Sequence, residues 1–190
     1  MNSFLTKQGY ELMLGSGLLD RAGKLLRPIL KGSLAVIITD TNLEQLYAAR
    51  LARSLHLGGF TAALLEIPAG KENRGPDVVY EIWEQLLDVG LTGEDAVIAL
   101  GGRTVEAVAG FAAGTLLGGV SFVRIPTTVA SQTEMPEQFR LFPVHESDFV
   151  EVSCRPAAVL VDPLLTVSRQ DSKKLSEAEL LRILREGIEV

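Results

Sequence analysis

The sequence is short of the residues that staple or metallate small domains: one cysteine, Cys154, and two histidines, His56 and His145, among 190 residues. A lone cysteine excludes an internal disulfide framework and a thiolate zinc cluster built from one chain. Two histidines fall short of the three protein ligands that a catalytic zinc ordinarily takes, so both read as ordinary surface or partly buried side chains. Cys154 precedes Arg155, yet no histidine or second cysteine stands near it in sequence, and a structural cysteine is expected. An excess of positive charge is also missing. Eighteen basic against 24 acidic residues give a net charge of −6, the wrong sign for non-specific contact with nucleic acid or anionic membrane, so neither is expected as a partner. The first residues, MNSFLTKQGYELML, lack the basic segment, long apolar run and small-residue cleavage site of a secretory signal. With the cysteine usage, this points to a reducing cytoplasm. The longest uncharged run, Ala107 to Val123, has 17 residues, four of them glycine; it reads as buried helix, turn and strand of a soluble core rather than as a membrane span.

What is present is apolar and alternating. Hydrophobic residues make up 47% of the chain, enough to bury a core and to exclude a disordered chain, and the length fits a single domain over residues 1–190. Leu34–Ile38 is a continuous apolar run of the kind buried on both faces of a parallel sheet. Leu43, Tyr47, Leu51 and Leu55 then recur at helical spacing until Gly58-Gly59. Thr61–Ile67 reads as a second strand, and Gly75-Pro76-Asp77 opens another helix with proline at its first position. Ala96–Leu100 is a third strand, running into Gly101-Gly102 and a small-residue helix. Phe122–Ile125 and Ala157–Val161 read as further strands. Ser176 and Glu179 form a capping box that opens a last helix, lined by Leu180, Leu181, Leu184 and Ile188. From Met135 to Asp148 no period is visible, and 135–148 is expected to be an irregular loop. Alternating units of this size imply an α/β fold, a Rossmann-like doubly wound, mostly parallel sheet with helices on both faces. Such sheets bind ligands beyond the carboxyl ends of their strands. Three loops lie there: Asp40 to Asn42, Pro68 to Arg74, and Gly101 to Glu106.

Asp40, just after a strand, is placed either to accept hydrogen bonds from ribose hydroxyls, with Asn42 as a second contact, or to cap the following helix. The two roles are compatible. Gly101 and Gly102, between strand and helix, would let the backbone approach a pyrophosphate at the helix N-terminus, with Arg103 reaching the phosphate itself. Glu106 in the first turn would repel such a ligand, on the order of 4 kcal/mol at about 4 Å and an effective dielectric near 20. The alternative is that Arg103 and Glu106, three apart, simply pair. Thr127 and Thr128 read either as a wall of a nucleotide pocket or as caps of the next segment.

Several stretches together, Ile38–Asn42, Ile67–Gly70, Ala99–Gly102, Ala109–Ala113, Gly119–Thr128 and Pro156–Asp162, resemble the 3-dehydroquinate synthase family of sugar-phosphate cyclases in order and spacing. The resemblance implies the family's N-terminal, Rossmann-like domain, which holds NAD. It implies that Asp40 and Asn42 stand on the adenosine side, that Gly102 belongs to the pyrophosphate loop, and that Thr127 and Thr128 add NAD contacts. It also exposes departures. Lys71 stands where the family has a glutamate, and Arg74 where it has a lysine. Arg103, Glu106 and Ala107 stand where the glycine-rich loop continues as glycine and then glycine-aspartate. The family's serine- and glycine-rich segment with its lysines is replaced by Met135 to Val144.

The family uses NAD to oxidise a substrate hydroxyl transiently, with zinc polarising that oxygen, before phosphate elimination and ring closure. Arg182 corresponds to the family's first zinc ligand, and the family's helical, metal-binding C-terminal domain would begin where this chain stops. The expectation is therefore a domain that keeps a nucleotide ligand, with NAD as its cofactor and zinc not expected, and that does not catalyse alone. The apolar face left without that second domain would be covered by self-association or by a protein partner, in a non-catalytic subunit or one half of a split enzyme.

Overall fold

The computed structural model describes residues 1–142, 148–166 and 174–187. The chain opens with an antiparallel hairpin, β1 (Asn2–Leu5) and β2 (Glu11–Leu14), then a short helix α1 (Ala22–Leu26). Strand β3 (Leu34–Asp40) follows, and then a helical stretch: one turn, α2 (Thr41–Leu43), a π-helical segment (Glu44–Ala48) and α3 (Ala49–Leu57). Next come β4 (Thr61–Ile67), α4 (Pro76–Asp88), β5 (Ala96–Gly101), α5 (Arg103–Thr115), β6 (Ser121–Pro126) and α6 (Val129–Thr133). A second hairpin, β7 (Gln138–Leu141) with β8 (Val150–Ser153), precedes β9 (Ala158–Val161) and α7 (Glu177–Gly187).

Seven strands form one sheet in the order β1-β2-β9-β6-β5-β3-β4, parallel except for β1 against β2. The doubly wound α/β expectation therefore holds. Alternation along each strand sends Val36, Ile38, Val97, Ala99 and Phe122 to one face, where α4 and α5 cover them, and Ala35, Ile37, Ile98 and Val123 to the other, beneath α1 and α3. Helix α7 closes a third cluster over β2 and β9 through Leu180 and Leu184. Its capping box is made, with Ser176 Oγ accepting from the Glu179 amide at 3.2 Å and the Glu179 carboxylate accepting from the Ser176 amide at 2.9 Å. Ile188, expected on the same face, lies outside the described residues.

The irregular loop expected over 135–148 needs correction: Gln138–Leu141 is a strand, paired antiparallel with Val150–Ser153. This hairpin packs on α5 where glycines make room. A methyl group on Gly110 would fall 2.6 Å from the Phe139 ring, and one on Gly114 would fall 3.0 Å from Cβ of Cys154. Phe139 in turn meets Phe122 edge-to-face, with ring centroids 5.3 Å apart. The uncharged run Ala107 to Val123 forms most of α5, a turn and the start of β6, and among the described residues no helix is long and apolar enough to cross a membrane.

Candidate functional site

The strand order fixes where a ligand can sit. The chain leaves β3 for β4 on one side and returns to β5 on the other, so the switch point lies between the carboxyl ends of β3 and β5. There the Thr39 hydroxyl donates to the Leu100 carbonyl at 2.8 Å, tying the two strand ends together. Above it opens a cleft of about 630 Å³ lined by Asp40 from the end of β3 and Asn42 from α2, Gly70 and Lys71 from the loop after β4, Gly102 and Arg103 from the start of α5, and Thr127 and Thr128 after β6. Gly101 lies beneath as the last residue of β5, its carbonyl accepting from the Thr127 amide at 3.0 Å. The seven residues singled out from the sequence thus converge on three successive strand ends.

Their local chemistry is now defined. Asp40 caps the helical stretch, its Oδ1 accepting from the amides of Asn42 at 2.9 Å and Leu43 at 3.1 Å, while Oδ2 keeps its acceptor capacity beside the cleft. Thr128 is likewise a cap, its Oγ1 accepting from the Ser131 amide at 3.2 Å. Thr127 is different. It is 1% exposed, and its hydroxyl has no hydrogen-bond partner among the described residues. Helix α5 begins without any side-chain cap, so its first-turn amides keep their donors. Gly102 permits this approach through close packing and not through a left-handed backbone: its φ is −90°, and a methyl group there would fall 2.9 Å from Cγ2 of Thr128.

The expected pairing of Arg103 with Glu106 does not occur. Arg103 reaches out to Glu134, beyond α6, in an exposed ion pair. Glu106 turns inward and is 2% exposed, facing Arg124, whose side chain is wholly buried. Two guanidinium nitrogens donate to Glu106 Oε1 at 3.2 and 2.9 Å, and the same side chain donates to the carbonyls of Ser131 at 3.2 Å and Glu134 at 3.1 Å. Burial pushes the Glu106 carboxyl above its ordinary value, and Arg124 pulls it part of the way back. Glu106 therefore points away from the uncapped helix start, and the repulsion expected of it toward a phosphate is absorbed by Arg124. Sequence reasoning missed Arg124, although a charge inside the apolar strand Phe122–Ile125 is a signal for a buried ion partner.

On the other side of Arg103 lies a second cleft of about 830 Å³, between the start of α5 and the β7/β8 hairpin, with Arg74, Arg140 and Arg155 on its walls. Arg74 stacks on Phe142 and leaves its Nε buried without a hydrogen-bond partner among the described residues. Burial, with the like charge of Arg103 added, pushes its pKa down. Cys154 is buried and its thiol is pushed up to about 11 by burial, as fits a structural cysteine. His56 is exposed near the end of α3, Arg182 is exposed on α7, and His145 lies outside the described residues. Among the described residues no group of three or more His, Cys, Asp or Glu is placed to hold a metal ion.

A doubly wound parallel sheet with a polar cleft at its switch point, floored by a glycine pair at an uncapped helix, defines a Rossmann-like α/β domain. Residues 64–135 match the family described as 3-dehydroquinate synthase N-terminal. The chain is 34% identical over 161 residues to a 3-dehydroquinate synthase of Rhizobium etli, covering 83% of this chain and 43% of the relative. It is 33% identical over 158 residues to one of Streptococcus pneumoniae, covering 82% and 44%. The chain thus spans less than half the length of these relatives. Among solved structures, a 2-deoxy-scyllo-inosose synthase complexed with carbaglucose-6-phosphate, NAD+ and Co2+ superposes with a TM-score of 0.82 at 16% identity, over 97% of this chain and 60% of that one. ValA, the 2-epi-5-epi-valiolone synthase of Streptomyces hygroscopicus with NAD+ and Zn2+ bound, gives 0.70 at 22% identity, over 87% and 46%. Over most of its length this chain is thus similar to part of the 3-dehydroquinate synthases, and residues 64–135 carry the match to that family's N-terminal domain.

Proposed function

We propose that this domain binds an adenine dinucleotide of the NAD type in the switch-point cleft and does not complete the family's cyclase reaction by itself. The observation that carries the reading is the buried Thr127 hydroxyl, without a partner among the described residues, beside the uncapped start of α5. A buried hydroxyl left unpaired costs about 1–3 kcal/mol, and a ligand acceptor in the cleft would recover it. The remaining residues have the donor set a nucleotide needs. Asp40 and Asn42 would take the ribose hydroxyls, and the first-turn amides of α5 with Arg103 would take the pyrophosphate over Gly102. When bound, such a cofactor supplies hydride transfer. The chain's part is to orient it, through the cap that fixes Asp40 and the Glu106–Arg124 pair that anchors the start of α5.

The reaction of the whole family also asks for a metal and for substrate-binding lysines, and this chain carries Arg182 and the segment Met135 to Val144 at the corresponding places. Turnover would therefore require residues outside these 190, from a second chain or a further segment, and such a partner would cover the face the domain presents to it. Isothermal titration with NAD+, with and without zinc, tests the binding; Asp40→Ala should weaken it about tenfold. A phosphate-release assay with the family's seven-carbon sugar phosphate tests the second half, and enzyme-like turnover by this chain alone would overturn it.

A further inference from the structure

We infer that Glu134 competes with the phosphates of a bound nucleotide for Arg103, and so restrains binding in the switch-point cleft without touching the ligand. The inference rests on the nucleotide-binding reading above and goes beyond it in naming a residue that sets the affinity. Among the described residues Arg103 alone lines both clefts, whereas Glu134 lines only the second. Their ion pair therefore draws the guanidinium from the rim of the switch-point cleft toward the second one. Glu134 is placed to hold it there. Its amide donates to the Ala130 carbonyl at 3.0 Å and its carbonyl accepts from Arg124 at 3.1 Å, so the backbone that carries the carboxylate is fixed. The pair itself is loose, because the two side chains are 57% and 54% exposed and water competes for such a contact. Arg74, on the wall of the second cleft, adds a like charge that is felt at Arg103. Released from Glu134, Arg103 is thus repelled from the second cleft and meets, on the other side, the uncapped first-turn amides of α5 and any anion they hold. A carboxylate and a phosphate engage a guanidinium through the same donors, so one displaces the other.

Breaking an exposed pair of this kind costs a factor of about two to five in affinity, which is what Glu134 withholds from the ligand. Isothermal titration of the full chain with adenosine, ADP and NAD+ tests the inference on Glu134→Gln, Arg103→Met and the double variant, with circular dichroism confirming each fold. At low salt Glu134→Gln should tighten ADP and NAD+ about two- to fivefold and leave adenosine, which carries no phosphate, unchanged. The gain should shrink at high salt and disappear in the Arg103→Met background, where no guanidinium is left to release. Glu137→Gln, which removes the same charge from the second cleft, should give no comparable gain. An ADP affinity unchanged by Glu134→Gln would overturn this inference and leave the nucleotide reading standing, as would a gain that survives in Arg103→Met or extends to adenosine. Binding of none of the three ligands, by wild type or by Glu134→Gln, would overturn both.

Discussion

Replacing Arg124 by methionine should strand the Glu106 carboxylate between sheet and helix. Arg124 is 0% exposed and Glu106 2%, and the guanidinium supplies Glu106 Oε1 with both of its short bonds. Removing one partner of such a pair costs about 3–5 kcal/mol, because the remaining charge keeps its desolvation penalty and loses its compensation. That is a fifth or more of the roughly 5–15 kcal/mol that holds an ordinary domain together. With a urea dependence of about 2 kcal/mol/M, the unfolding midpoint should fall by about 1.5–2.5 M at neutral pH. The deficit should also depend on pH. Burial already lifts the Glu106 carboxyl above 4.5 against the pull of Arg124, and without that pull the lift grows. The folded variant then holds a proton that the unfolded chain has released, and stability falls with rising pH wherever the native state binds more protons. The loss should be smallest below pH 4.5, the unfolded value, and should grow as pH climbs through the folded one. The double variant Glu106→Gln with Arg124→Met removes the stranded charge and leaves mainly the Ser131 and Glu134 carbonyls short of a donor, about 1–3 kcal/mol. Urea titrations followed by circular dichroism at two pH values close the cycle. An Arg124→Met variant within about 1 kcal/mol of wild type, or a double variant no more stable than that single one, would refute the reasoning.

Other substitutions separate site from scaffold. Thr127→Val deletes a hydroxyl that no group among the described residues satisfies, so thermal stability should hold or rise by about 1 kcal/mol while nucleotide affinity drops several-fold in titration; parallel losses would count against the cleft assignment. Gly110→Ala would put a methyl 2.6 Å from the Phe139 ring and should cost about 1–3 kcal/mol in denaturant melts, whereas Gly93→Ala, with open space around it, should be near neutral. With its thiol pushed up to about 11, Cys154 is ionised on the order of one part in a thousand at pH 8. A thiol reagent should then react only as the protein opens, and prompt labelling of the native chain would contradict the burial seen here.

The parallel core was legible because burial on both sheet faces leaves β3, β5 and β9 as unbroken apolar runs, and because Gly58, Gly59 and Pro76 mark helix ends by their own backbone chemistry. The β7/β8 hairpin was not. Gln138–Leu141 turns only Phe139 and Leu141 inward, and two apolar residues in four make no period until the partner strand and the glycines of α5 are known. The candidate site residues could be placed together because they stand at strand ends, but their partners could not be read. Helical spacing offers Arg103 a neighbour at Glu106, whereas the fold gives it one 31 residues away and gives Glu106 one 18 residues away. Such pairings depend on strand order and on the path of the chain after α6, which no local pattern encodes.

The departures from the resembling family bear on whether this domain is decaying or has been rebuilt. A glycine replaced by glutamate at 106, on the buried side of α5, would by itself bury an unpaired charge at a cost comparable with the stability of the whole domain. Here the charge meets Arg124, which in the same stroke satisfies two carbonyls at the end of α6. Arg103, in place of another glycine, meets Glu134 from that same segment. Both new charges at the start of α5 thus find partners on elements distant in sequence, and the intervening Gly102, Thr127 and uncapped amides keep the cleft open. Erosion without selection supplies destabilising changes far more often than it supplies their partners. The paired charges therefore argue for a domain whose fold is maintained.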